Sequence, residues 1–264
     1  MQNWTVRKIR ESKGGAPLAT VTAYDAITGR IADEAGVALI LVGDSLGTTA
    51  LGYDTTLPVT MDMMLHHVAA VRRGVQHAVL VADMPFLSYH LATEDALRNA
   101  GRFLQEAGAD AVKLEGGATR VDVIRTLVDN GIPVMAHLGV LPQSVKASGY
   151  AAKGRTEDEI ARLEEDVLAV AEAGAFCTTL ECVTAGVAER LTAISPVPTI
   201  GIGSGNACDG QILVIADLLG LTDGPLPRFV KRFATCGDIA KAAVEAYVSE
   251  VQNRAYPDSE HVYR

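Results

Sequence analysis

The chain has 264 residues, 48% of them hydrophobic and 21% charged, with a formal net charge of -9. Such a composition can build a sizeable core, and its acidity argues against nucleic acid or an anionic membrane surface as the main partner. No apolar stretch approaches the roughly 18 residues that span a bilayer, and the basic start MQNWTVRKIRESKGG lacks the apolar segment of a secretory signal.

In chain order, strand candidates fall at 19–25 (ATVTAYD), 38–44 (ALILVGD), 78–83 (AVLVAD), 111–115 (AVKLE), 133–138 (PVMAHL), 176–181 (FCTTLE), 198–203 (PTIGIG) and 211–217 (QILVIAD). Most are continuous apolar runs, the pattern of parallel strands buried on both faces. Helical periodicity fills the intervals. A helix over 61–73 carries adjacent His66 and His67, which diverge by about 100° and so make no metal pair. Over 93–107, Ala96, Leu97, Ala100, Phe103, Leu104 and Ala107 share one face, with Thr93 as the expected N-cap. TEDE (156–159) reads as a capping box ahead of Ile160, Leu163, Val167 and Val170. EAG recurs at 34–36, 106–108 and 172–174, each Gly suited to the left-handed position that closes a helix. Strands alternating with helices predict a single α/β domain over 1–264, a (β/α)8 TIM barrel with a short N-terminal extension and a C-terminal tail. A doubly wound open sheet would call for fewer strands or a second domain. KASGYAAKGR (146–155) reads as a mobile loop over the barrel mouth. Cys177, Cys182, Cys208 and Cys236 form no CxxC, so they read as reduced, packed thiols of a cytoplasmic protein.

Polar residues end these strands one after another: Asp25, Asp44, Asp83, Glu115, His137, Glu181 and Asp217. In a parallel barrel such ends share one rim, where active sites of this fold are assembled. So many carboxylates on one rim need a cation or shifted protonation, because like charges at close range cannot all stay ionised alone. Carboxylates without clustered His or Cys favour a hard divalent ion such as Mg²⁺, and Asp44 and Asp83 are its best direct ligands. Asp25 and Asp217 keep the plainer reading of a helix cap or turn residue. Lys113 and Glu115 are two apart on one strand, so they face the same way about 6.6 Å apart. A lysine in an apolar strand needs a partner or a task. It is either half of an internal ion pair or a binder of substrate carboxylate, with Glu115 in or beside the metal shell. Glu181, set among Leu180, Cys182 and Val183, suits a general base, and His137 could orient substrate. GIGSGNACDG (201–210) is a weak signal for a phosphate loop, and close backbone packing explains it equally well.

TAYD, LVGDSLG, TLPVT, HHVAAVRRG, ADMPF, VKLEGG, HLGVLPQS, LECV, GIGSG, DGQILV and YPDSEH follow one another through nearly the whole chain. In this order they resemble the ketopantoate hydroxymethyltransferase family. The resemblance implies a Mg²⁺-dependent barrel enzyme of pantothenate biosynthesis. Such an enzyme moves a one-carbon unit from methylenetetrahydrofolate to α-ketoisovalerate. It implies Asp44, Asp83 and Glu115 at the metal, Asp44, Ser45, Asp83 and Lys113 at the ketoacid, and Glu181 as proton acceptor. It also implies a cytoplasmic homo-oligomer, commonly a decamer. Another metal-enolate barrel, of the phosphoenolpyruvate mutase or isocitrate lyase type, is the alternative. Two segments depart from the family pattern: VKASGYAAKGR replaces a GGYKVQG-like stretch, and Thr184 follows LECV where Pro is usual.

Overall fold

A computed structural model describes residues 2–263. The strands are β1 (Leu18–Thr22), β2 (Leu39–Val42), β3 (Val79–Asp83), β4 (Ala111–Glu115), β5 (Val134–Gly139), β6 (Cys177–Glu181), β7 (Thr199–Ile202) and β8 (Gly210–Leu213). All pair in parallel with their sequence neighbours, and β8 returns to β1, closing the expected (β/α)8 barrel. Among the described residues, no helix is long and apolar enough to cross a membrane.

Side chains alternate across each strand, and the barrel uses that period to build two layers. Leu18, Leu39, Leu41, Val79, Val81, Ala111, Met135, Cys177, Ile200 and Ile212 form one buried apolar cluster. Ile9, from helix Val6–Glu11, joins it, with Trp4 and Val6 packed alongside. The N-terminal extension thus plugs the barrel floor, and the Trp4 N–H fixes it to the His77 carbonyl at 2.8 Å. Two and four residues further along the same parity, the side chains turn polar: Asp83, Lys113, His137 and Thr179, then Glu115 and Glu181. Strand register aligns them, Asp83 with Lys113, Glu115 with His137, and Gly139 with Glu181.

Three glycines close helices as expected, Gly36, Gly108 and Gly174, at φ of 85°, 72° and 104°. Asp25 caps helix Ala26–Glu34 in a capping box with Thr28, which is its plainer reading. Thr156 accepts from Glu159 N at 3.2 Å, but the Glu159 carboxylate takes the Arg155 N–H, one residue earlier than a reciprocal box requires. Helix Thr93–Gln105 begins one residue early: Ala92 is its N-cap and Thr93 lies inside it. The eighth strand stops at Leu213, and Asp217 lies on helix Ile215–Leu219 rather than at a strand end. The Asp217 carboxylate accepts from the Thr222 hydroxyl at 2.6 Å. The chain divides between Val214 and Ile215 into two compact units, with all eight strands in the first and helix Cys236–Gln252 in the second.

One carboxylate anchors the entry to β3. Asp33, buried at the end of its helix, accepts from the backbone N–H groups of Gln76 (3.1 Å), His77 (2.9 Å) and Ala78 (2.7 Å). Burial works against its charge, but these three donors outweigh that and hold its pKa below the ordinary carboxylate value. Asp33→Asn is expected to cost about 1.5–3 kcal/mol near neutral pH, the range for a hydrogen-bonded charged group. Because the folded-state pKa is depressed, the stabilisation exists above the unfolded value and vanishes as pH falls through the folded one. Urea unfolding should therefore show the gap between wild type and variant closing in acid.

Candidate active site

The apolar run of β2 ends at Gly43, where a Cβ would lie 2.9 Å from the Ser45 hydroxyl. A glycine there lets the chain turn tightly and present Asp44 and Ser45 on the rim. The Asp44 N–H donates to Asp83 Oδ2 at 3.1 Å, and Asp83 Oδ1 pairs with Lys113 Nζ at 2.8 Å. His137 links these groups to the far side of the mouth. Its Nδ1 lies 3.3 Å from Lys113 Nζ and 3.8 Å from Glu115 Oε1, while its Nε2 lies 3.3 Å from Glu181 Oε2. An ammonium can only donate, so Nδ1 is the unprotonated nitrogen and Nε2 carries the proton toward Glu181. Ser45 is half-buried and shares a 2.9 Å hydrogen bond with the Tyr24 hydroxyl. The structure therefore gathers Asp44, Asp83, Lys113, Glu115 and Glu181 in one network, with Ser45 on the residue next to Asp44.

Burial governs the charges. Asp44, Asp83, Lys113, Glu115 and His137 are each at most 4% exposed. Burial and then the neighbouring charge of Asp83 push the Asp44 carboxyl up to about 7, and burial drives Glu115 well above the usual range. Burial alone would lower the Lys113 ammonium, but Asp83, Glu115 and Asp44 overcome it and hold it above its ordinary value. His137 is lowered, by burial first and then by Lys113, which keeps the imidazole neutral. Glu181 is more open than its apolar sequence neighbours suggest, with its side chain 19% exposed.

The donor set is hard: carboxylate oxygens from three strand ends, with no thiolate. Among the described residues, no group of three His, Cys, Asp or Glu side chains is arranged to hold a metal ion by itself. A small divalent ion asks for less, taking one or two carboxylates and completing its shell with water and substrate oxygens. Glu115 Oε1 is buried without a hydrogen-bond donor, and Asp83 Oδ1 has only the Lys113 ion pair. Such acceptors are costly unless something positive meets them. Asp44, Asp83 and Glu115 therefore fit a magnesium-type ion.

Sequence reasoning passed over Gln143 and Tyr89. Gln143 Nε2 donates to Asp44 Oδ2 at 2.9 Å, its backbone N–H donates to Glu115 Oε2 at 3.1 Å, and Tyr89 donates to its Oε1 at 2.7 Å. The one available signal was a polar residue just after Pro142 in the loop leaving β5. The GIGSG loop serves packing: the Ser204 hydroxyl donates to the Leu180 carbonyl (2.7 Å) and accepts from Val183 N–H (3.0 Å). It thereby holds the exit of β6, where Cys182 sits at a strained φ of 50° directly after Glu181. His67 donates to the Tyr24 carbonyl at 2.6 Å, and His66 faces solvent. The two departures from the family pattern meet each other. Thr184 N–H donates to the Lys153 carbonyl (3.0 Å) and its hydroxyl to the Gly154 carbonyl (3.0 Å), bonds a proline could not make.

A 2,3-dimethylmalate lyase of the PEP mutase/isocitrate lyase superfamily shares this fold, with a TM-score of 0.62 at 18% identity over 97% of this chain and 90% of that one. The phosphoenolpyruvate phosphomutase of Streptomyces platensis does so with a TM-score of 0.61 at 15% identity, over 98% and 92%. At such identities the likeness is one of fold alone. In sequence, the chain is 50% identical to the 3-methyl-2-oxobutanoate hydroxymethyltransferase of Carboxydothermus hydrogenoformans, over 100% of this chain and 96% of that protein. The protein of the same name from Moorella thermoacetica is 52% identical, over 95% and 93%. The sequence model of ketopantoate hydroxymethyltransferase matches residues 3–259, and the chain belongs to that family.

Proposed function

We propose that this enzyme transfers a hydroxymethyl group from methylenetetrahydrofolate to 3-methyl-2-oxobutanoate, giving 2-dehydropantoate for pantothenate synthesis. Magnesium would be held by Asp44, Asp83 and Glu115, with water and ketoacid oxygens completing its shell. When bound, the ion supplies Lewis-acid polarisation of the ketoacid oxygens. The observation that carries this reading is the buried network of carboxylates around Lys113, opening toward one less enclosed carboxylate, Glu181.

The chain's own residues divide the work. Lys113, steered by Asp83 on one side and the bare Nδ1 of His137 on the other, presents a fixed positive charge to the ketoacid. As the C–H bond of the branched carbon breaks, negative charge grows on the carbonyl oxygen, and a preorganised ammonium stabilises it with little reorganisation. Glu181 accepts the proton. The carbon so activated bonds to the one-carbon unit, water supplies the hydroxyl oxygen, and tetrahydrofolate leaves. Ser45, beside Asp44 and tethered to Tyr24, contributes a hydroxyl at the ketoacid.

The test is an assay of purified enzyme with 3-methyl-2-oxobutanoate and methylenetetrahydrofolate, with added Mg²⁺ or with a chelator. Ketopantoate is expected only with the folate and the ion both present. Cleavage of isocitrate or methylisocitrate without folate would instead assign the lyase-type reaction. A cytoplasmic homo-oligomer, commonly a decamer in the family, is part of the same reading, and light scattering on the eluted protein measures its size.

A further inference from the structure

We propose that Gln143, braced by Tyr89, is a positioning residue that sets the carboxylates of Asp44 and Glu115 for a shared divalent cation. The inference rests on the metal-dependent reading above. The groups that fix Gln143 are donors and acceptors with no freedom of role. The Glu115 N–H can only donate, and it donates to the Tyr89 hydroxyl at 3.1 Å. The single Tyr89 proton then goes to Gln143 Oε1, 2.7 Å away. The Met84 carbonyl can only accept, and it takes one Gln143 Nε2 proton at 2.9 Å, leaving the other for Asp44 Oδ2 at 2.9 Å. Both ends of the relay are backbone groups, so the amide has one orientation.

The Gln143 backbone completes the clamp. Pro142 opens the short helical turn Pro142–Ser144, and the next N–H, that of Gln143, donates to Glu115 Oε2 at 3.1 Å. One residue thus takes one oxygen from each of two carboxylates, one in the turn after β2 and one at the end of β4. Glu115 Oε1 is left buried without a donor. Gln143 and Tyr89 are 4% and 1% exposed, and the Arg120 guanidinium lies 5.7 Å from the Tyr89 ring centre. Water has little access to replace the relay if it is cut.

The test is Mn²⁺ binding to the full-length, metal-free enzyme without substrates, read by the electron paramagnetic resonance of free Mn²⁺. Gln143→Met and Tyr89→Phe are compared with wild type, and thermal unfolding is measured alongside. Losing a partner that orients a metal ligand typically weakens metal binding about 10–100-fold, and Gln143→Met is expected in that range. Tyr89→Phe, which keeps the ring packing, should show a smaller loss in the same direction. Asp33→Asn, destabilised far from the mouth, should bind Mn²⁺ as wild type does. Variants that melt earlier yet bind Mn²⁺ like wild type would reduce Gln143 to a packing residue and overturn the inference. Wild-type enzyme that takes up no Mn²⁺ would instead overturn the cation reading of the whole site.

Discussion

Replacing Lys113 by Met is expected to abolish most activity and to leave a fold that resists acid better than neutral buffer. The Lys113 side chain is 5% exposed and pairs at 2.8 Å with Asp83, itself 2% exposed. Removing one member of a buried pair costs about 3–5 kcal/mol, because the charge left behind has neither water nor a partner. Two further carboxylates lean on this ammonium, since it lowers both Asp44 and Glu115 against the effect of burial. Without it they escape the penalty by taking up protons. Burial and Asp83 already push Asp44 up to about 7 against the opposing lysine, so in the variant its pKa moves higher still. Its unfolded value is about 3.9, so between the two values the native state holds a proton that the unfolded state has released. Stability then falls as pH rises through that window, and in Lys113→Met the window extends further upward. Urea midpoints at about pH 5 and about pH 8 should show a larger deficit against wild type at the higher pH. An equal deficit at both would mean that the carboxylates do not depend on Lys113. Turnover should fall about 10²- to 10³-fold, the usual loss when a preorganised donor to a developing oxyanion is removed. Extra ketoacid should not restore it.

The barrel was legible because its strands are short apolar runs at regular spacing, and polar residues at or near the ends of β2 to β6 pointed to one rim. Lys113 and Glu115 were legible from parity alone, being two residues apart on β4. Boundaries were less so. Apolar residues continue past Leu213 through Ile215, and a short apolar run cannot separate a buried strand from a buried helical turn. Thr93 before Glu94 and Asp95 has the composition of a cap, yet the helix takes it in as its first residue. Gln143 had no periodic signal, because it sits in a loop and its partner Asp44 is 99 residues away. Its role exists only once strand register brings β2, β4 and the loop after β5 together. The openness of Glu181 escaped for a related reason: sequence neighbours describe the strand, whereas exposure at the rim depends on what the loops leave uncovered.

Glu181→Gln is expected to slow proton exchange at the branched carbon of 3-methyl-2-oxobutanoate in D₂O by orders of magnitude while leaving the fold intact. Two groups stand where a base is needed, Glu181 and His137, 3.3 Å apart. His137 cannot serve: it is neutral, its Nδ1 lone pair faces Lys113 at 3.3 Å, and its Nε2 carries a proton. Only Glu181 offers a free lone pair in a position reached from solvent, which lets substrate enter and the abstracted proton leave. The amide keeps the size of the carboxylate and can face His137 Nε2 across the same 3.3 Å approach. With the side chain 19% exposed and the amide matching its size, the unfolding free energy should change less than in Lys113→Met, which strands a buried charge. Exchange, followed by loss of the proton resonance without folate, should slow about 10²- to 10⁴-fold, the usual contribution of a positioned base. A variant that exchanges as fast as wild type would remove Glu181 from the role. His137→Gln separates positioning from proton transfer: exchange should weaken less than in Glu181→Gln, because the carboxylate that takes the proton is still present.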